Sequence, residues 1–173
     1  KRASSGSLAP HVQTSGTLPV CHVSEQAILE PAMPVSFSDI QNAAGRIQTI
    51  ARRTPVMTSR SFDLEAGVKT WFKCENLQKG GAFKIRGAAN FIYSIPKDQL
   101  PKGVVAFSSG NHAQAVAMHA LRLNVNAHIF MPVGTSNTKV LQTERYKAQV
   151  RLVGNNYDEA YLAARAYSED HGA

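Results

Sequence analysis

Cysteine is scarce in this chain. Only Cys21 and Cys74 occur among 173 residues, too few for a disulfide framework. The expected setting is cytoplasmic, with both thiols reduced. Cys21, His22 and His11 make a poor metal site, because no chelating spacing brings a fourth ligand near. Long apolar runs are also missing. None approaches the roughly 20 residues of a membrane helix, so no membrane association is expected. Pro10, His11, Gln13, Ser15, Gly16 and Pro19 interrupt the stretch from Ala9 to Val23, which argues against a secretory signal. The first residue is Lys rather than Met, which points to residues upstream. Acidic residues are outnumbered 12 to 19 by Lys and Arg, for a net charge of +7. The positive residues are scattered, however, and Arg52-Arg53 is the densest pair after the start. Without a basic face or spaced aromatics, nucleic acid is not an expected partner. An anionic small molecule accounts for the excess equally well.

What is present is a globular composition, 43% hydrophobic and 18% charged. Residues 1–34 are rich in Ser, Pro, Gly, Thr and Ala and read as a flexible leader, with one helical turn near Ser24–Leu29. A helix is expected from Ser38 to about Arg52, with Ser38 as cap and Gln41 completing a capping box. Its apolar stripe is Ile40, Ala43, Ala44, Ile47 and Ile50 or Ala51. Thr54–Ser59 reads as a turn into a short extended piece. Val68–Cys74 reads as a buried strand, and Glu75–Gly81 as a polar loop. Phe83 to about Ser94 reads as a helix burying Ile85, Ala88, Ala89 and Ile92.

From Val104 onward, strand and helix alternate. The expected strands are Val104–Phe107, Ala127–Met131 and Gln149–Val153. The expected helices are Ala113–Leu123, Thr138–Lys147 and Tyr157 to about His171. Short apolar strands separated by helices imply βαβ units on a parallel, twisted sheet with flanking helices. Ligands of such sheets bind beyond the carboxyl ends of the strands. The last helix has no strand after it, so a further edge strand or domain is expected.

Two clusters could carry chemistry. Ser108-Ser109-Gly110-Asn111-His112 follows a strand and opens a helix. Free backbone N–H groups at such a place bind carboxylate or phosphate, and Gly110 permits close approach of a ligand. A merely capped helix start explains these residues equally well. There is no G-x-G-x-x-G dinucleotide fingerprint. The second cluster is Gly80-Gly81-Ala82-Phe83-Lys84-Ile85-Arg86-Gly87. It is no P-loop, because Lys84 is not followed by Ser or Thr. Lys84 opens a helix, where the local dipole disfavours a cation, and it stands between apolar Phe83 and Ile85. That environment suits a Schiff-base lysine. A snorkelling surface lysine is the alternative.

Four motifs in order, Arg53-Thr54-Pro55-Val56, Phe72–Gln78, Phe83–Ala88 and Ser108–Gln114, resemble fold type II pyridoxal-phosphate enzymes. The likeness is to the serine/threonine dehydratase and serine racemase group, and it covers roughly Phe37–Ala173. It implies an α/β fold like that of the tryptophan synthase β chain. Residues 35–95 would belong to a large domain and 96–173 to a small one. Lys84 would carry pyridoxal phosphate and act as base at the substrate Cα. Phe83 would pack on the pyridine ring, and Asn111 would bond the cofactor's 3-hydroxyl. Ser108, Gly110, Asn111 and His112 would hold the substrate carboxylate. Ser109 would face the opposite side of the cofactor and, in racemase-like members, return a proton there.

The resemblance implies a dehydratase of hydroxy-amino acids such as threonine or serine, with a racemase as alternative. It also implies a homodimer in the full-length protein. Members are considerably longer. Their phosphate-cupping loop and divalent-cation site fall outside this chain, so the chain alone is expected to bind cofactor weakly. A truncated, non-catalytic binding module is the alternative of another class.

Overall fold

The computed structural model describes residues 35–173. The expected leader, its turn at Ser24–Leu29, and Cys21 lie outside the described residues. Helix α1 spans Phe37–Ile47. Its cap is Ser36, not Ser38, and the partner in the capping box is Asp39, not Gln41. Ser36 Oγ accepts from the Asp39 N–H at 3.2 Å, while the Asp39 carboxylate accepts from the Ser36 N–H at 2.9 Å. A carboxylate is the stronger acceptor at a helix start. The helix also ends earlier than the expected Arg52. It passes into a turn held by Ile50 N–H to Ile47 carbonyl, and of the expected stripe only Ile50 is buried.

The expected strand over 68–74 is largely absent. Only β2, Phe72–Lys73, is extended, paired antiparallel with β1, Val56–Met57. Two residues of β1 can template no more. Between them lies a helix not foreseen from the sequence, α2, Arg60–Ala66. Ser59 caps its start, and Gly67 in the left-handed conformation (φ 69°) closes it. Cys74 is consequently half-buried at a turn rather than inside a strand.

The segment leading to α3, Lys84–Ile92, is tied down by polar contacts. The Arg86 guanidinium meets Glu75 bidentately, Nε to Oε2 at 2.8 Å and Nη2 to Oε1 at 2.7 Å. Thr54 Oγ donates to the same carboxylate at 2.6 Å. Arg86 Nη2 also donates to the Arg52 carbonyl at 3.0 Å, and buried Gln78 grips both the N–H and carbonyl of Arg52 at 2.8 Å. Chain segments 52–54, 75–78 and 84–86 are thereby fixed to one another. Arg86 is the main cause of a Glu75 carboxyl pKa lowered to about 2.

Beyond α3 the parallel sheet appears as expected. Its order is β3 (Val104–Phe107), β4 (Ala127–Met131), β5 (Gln149–Leu152). Every residue of central β4 is buried, which is why it reads as a continuous apolar run. Helices cover both faces. Ile129 and Met131 join the core with Ile85, Ile92 and Val116. The alternate residues His128 and Phe130 meet Tyr167 of α6, Tyr157–His171. Helix α4 is Asn111–Arg122 and α5 is Asn137–Glu144.

α3 buries Ile85, Ala88, Ala89 and Ile92, the four residues expected, and packs along α4 more extensively than along any other element. His119 of α4 is 2% exposed and edge-on to Tyr93. Burial pushes its imidazole pKa down.

Glu75→Gln removes the charge from the pair with Arg86, and the expected loss is about 2 kcal/mol, the scale of hydrogen bonds to charged groups. Because the folded carboxyl titrates near 2 rather than its ordinary 4.5, the contribution is complete above pH about 4.5. It fades as pH falls toward 2. Urea titrations across that range should show the wild type approaching the variant at the acid end. A constant gap would contradict this role for Glu75.

Candidate functional site

Lys84 is the first residue of α3. Helix sterics point its neighbour Ile85 into the core, while Lys84 stays exposed. The expectation of an apolar surround is met on one side only, because Phe83 is 59% exposed. The lysine amine sits over the Phe83 ring at 5.2 Å from its centroid, a cation–π contact that leaves the amine open to a ligand. Before it, Gly80 and Gly81 hold φ of 70° and 72°, and the chain turns there at no steric cost.

The second cluster follows β3. The Ser108 N–H donates to the Phe130 carbonyl at 3.1 Å, extending the ladder by one rung. Ser108 Oγ then accepts the Gly110 N–H at 3.2 Å. α4 begins at Asn111 with Gly110 as its cap residue and no side-chain cap. Its first N–H groups thus point outward without a side chain over them. A Cβ added at Gly110 would meet no atom within 4 Å, so the approach to these N–H groups is open.

The close packing of α3 on α4 brings the two clusters together. Asn111 and Gln114 line the same crevice as Lys79, Gly80, Ala82 and Ile85. His112 is half-buried, and its imidazole pKa is lowered by that burial and then by the charge of Lys84. The helix opened by Lys84 and the loop 108–112 therefore share one electrostatic environment.

Ser109 is placed differently. It is 5% exposed, and its hydroxyl shares a 2.5 Å hydrogen bond with the Tyr157 hydroxyl. It opens on another cavity, with Thr135, Ser136, Asn155 and Tyr157. Sequence reasoning did not single out Tyr157, Glu75 or Gln78. Glu75 and Gln78 stood inside a quoted motif, but their partners are 11 to 26 residues away in the chain. Tyr157 carried no local signal beyond opening a helix.

This donor set suits pyridoxal phosphate. An exposed primary amine matches an aldehyde, and uncapped helix N–H groups match an anionic group. Lys84 and Asn111 are the residues that would hold it.

Comparison with known proteins agrees. The chain is 49% identical over 137 residues to an L-threonine ammonia-lyase of Geobacter sulfurreducens, covering 79% of this chain and 34% of that protein. It is 43% identical over 137 residues to an L-threo-3-hydroxyaspartate ammonia-lyase of a Pseudomonas species, covering 79% of this chain and 43% of that one. The solved structure of maize serine racemase superposes with a TM-score of 0.73 at 41% identity, over 78% of this chain and 41% of the racemase. The chain thus spans less than half the length of these relatives. The family described as pyridoxal-phosphate dependent enzyme matches residues 47–173. With the lysine, the uncapped helix start and the parallel sheet in place, the chain belongs to the pyridoxal-phosphate dependent enzymes, with the fold type II architecture.

Proposed function

We propose that this chain forms the lysine-bearing part of an ammonia-lyase for hydroxy-amino acids such as L-threonine or L-serine. The observation that carries this is the shared crevice of the Lys84 segment and Asn111. Similarity to a threonine and a hydroxyaspartate ammonia-lyase supports it. Residues 35–95 are assigned to a large domain and 96–173 to a small one. A cytoplasmic location belongs to the same proposal, supported by the paucity of cysteine, and so does a homodimer, supported only by the family resemblance.

In this reading the Lys84 amine holds the cofactor and removes the proton at the substrate Cα. The Asn111 amide meets the cofactor's 3-hydroxyl, and Phe83 lies against its ring. The backbone N–H groups at the start of α4, with Ser108, Gly110, Asn111 and His112 around them, orient the substrate carboxylate, which fixes the Cα–H bond relative to the base. A neutral His112, favoured by burial and by Lys84, donates through one ring nitrogen without adding charge. Pyridoxal phosphate supplies, when bound, the electron sink at Cα. Departure of the β-hydroxyl then leads to a 2-oxo acid and ammonia.

A second activity is favoured by one observation. Ser109 lies on the same loop as Asn111, but its hydroxyl is directed to Tyr157 rather than to the Lys84 segment, so the two groups would meet a substrate held between them from different sides. Similarity to serine racemase agrees with it.

Two substitutions in the full-length protein test these assignments. Lys84→Ala should lower 2-oxo acid release by at least about 100-fold, the scale of a positioned acid–base group, for L-threonine, L-serine and 3-hydroxyaspartate alike. Retained turnover on any of them would remove Lys84 from the chemistry. Ser109→Ala should depress racemisation of serine about 100-fold more than elimination, read by chiral chromatography beside 2-oxo acid release. Equal losses would contradict the two-face arrangement.

A further inference from the structure

Ser109 lacks something that its proposed task needs. A serine hydroxyl that gives its proton to Cα becomes an alkoxide. At 5% exposure, that alkoxide would be costly without a hydrogen-bond donor beside it. We infer that Tyr157 is the positioning and proton-relay partner of Ser109, connecting its buried hydroxyl to solvent. This inference rests on the reading of Ser109 as the second-face proton donor.

Three observations carry it. The first is the hydrogen bond itself, 2.5 Å between the Ser109 and Tyr157 hydroxyls. A hydroxyl has one proton and two lone pairs, so Ser109 can keep this bond and still face a substrate. The second is the exposure gradient. Tyr157 is 55% exposed while Ser109 is 5%, so the partner of the buried hydroxyl belongs to a residue that solvent reaches.

The third is the rigidity with which Tyr157 is delivered. It is the first residue of α6, and Asn156 caps that helix by accepting the Glu159 N–H at 2.9 Å. The Glu159 carboxylate answers by accepting the Asn155 N–H at 2.8 Å and the Asn156 side-chain amide at 2.9 Å. Before them, Gly154 has φ of 71°, and a Cβ there would stand 2.4 Å from the Glu159 Cβ. Its carbonyl accepts the Val133 N–H at 2.9 Å, tying the loop after β5 to the loop after β4. Tyr157 is therefore held over the carboxyl end of the sheet by both neighbouring loops. Mere satisfaction of a buried serine would not need such a frame.

The proton balance closes without a further reactant. The Ser109 O–H proton passes to the substrate Cα, and its electron pair stays on Oγ. The Tyr157 O–H proton then passes to Oγ, and water reprotonates the phenolate. Abstraction from the same face runs the sequence in reverse. Neither direction oxidises or reduces any group.

The test uses the full-length holoenzyme carrying Tyr157→Phe, beside Ser109→Ala. Removing the phenol oxygen should lower the ratio of racemisation to elimination at least about 10-fold, through kcat rather than KM. The solvent deuterium dependence of racemisation should change from a curved proton inventory to a linear one. A purely structural tyrosine would not alter the inventory. In the cofactor-free protein labelled with carbon-13 at tyrosine Cζ, the Tyr157 resonance is the one lost in Tyr157→Phe. It should move on Ser109→Ala. An unchanged or increased ratio in Tyr157→Phe, with Ser109→Ala still defective in racemisation, overturns the relay and leaves the role of Ser109 standing. Undiminished racemisation in Ser109→Ala overturns both.

Discussion

The bidentate contact between Glu75 and Arg86 is the constraint on which the site depends. Arg86 lies two residues after Lys84, on the same first turn of α3. Its guanidinium is fixed by the Glu75 carboxylate, by the Arg52 carbonyl, and through Thr54 by the chain before β1. The start of α3 therefore cannot rotate or fray without breaking charge-assisted bonds, which are stronger than neutral ones. Isolated surface ion pairs contribute little. This one differs because it is partly buried, bidentate and joined by Thr54 and Gln78. The exposed amine of Lys84 is held on a rigid anchor, and only its own side chain retains freedom. Such an anchor suits a group that must hold a cofactor and reach a proton.

The second half of the site follows from the sheet. Parallel strands end in loops on one side, and each loop starts the next helix. The loop after β3 supplies Ser108–His112, and the loop after β5 supplies Tyr157. Packing of α3 on α4 joins the first of these to the lysine. Packing of α6 on β3 and β4 joins the second to Ser109. One short loop thus faces the lysine segment through Asn111 and Tyr157 through Ser109.

Much of this was legible in the sequence because the signals are local. The strand β4 and the helix α6 begin and end where apolar runs and helical spacing place them. The four buried positions of α3 follow from periodicity alone. Lys84 and Asn111 came from motif order. The failures are equally physical. At α1, two serines and two polar partners competed, and the choice of Ser36 with Asp39 rests on carboxylate strength rather than spacing. The β-rich stretch from Val68 to Cys74 became mostly irregular because a strand needs a partner, and β1 offers two residues. α2 is a short helix whose signals, Ser59 and Gly67, are individually weak. Tyr157 pairs with a residue 48 positions away, a contact no local pattern announces.

The central claim is that Lys84, anchored by Arg86 and flanked by residues that share a crevice with Asn111, is the residue that holds the cofactor. The most direct measurement is borohydride trapping of pyridoxal phosphate on the full-length protein, followed by digestion and peptide mass mapping. The account predicts a pyridoxyl group on the peptide containing Lys84, with that site saturating first as cofactor is added. A pyridoxyl group on another lysine, with Lys84 unmodified, would contradict it.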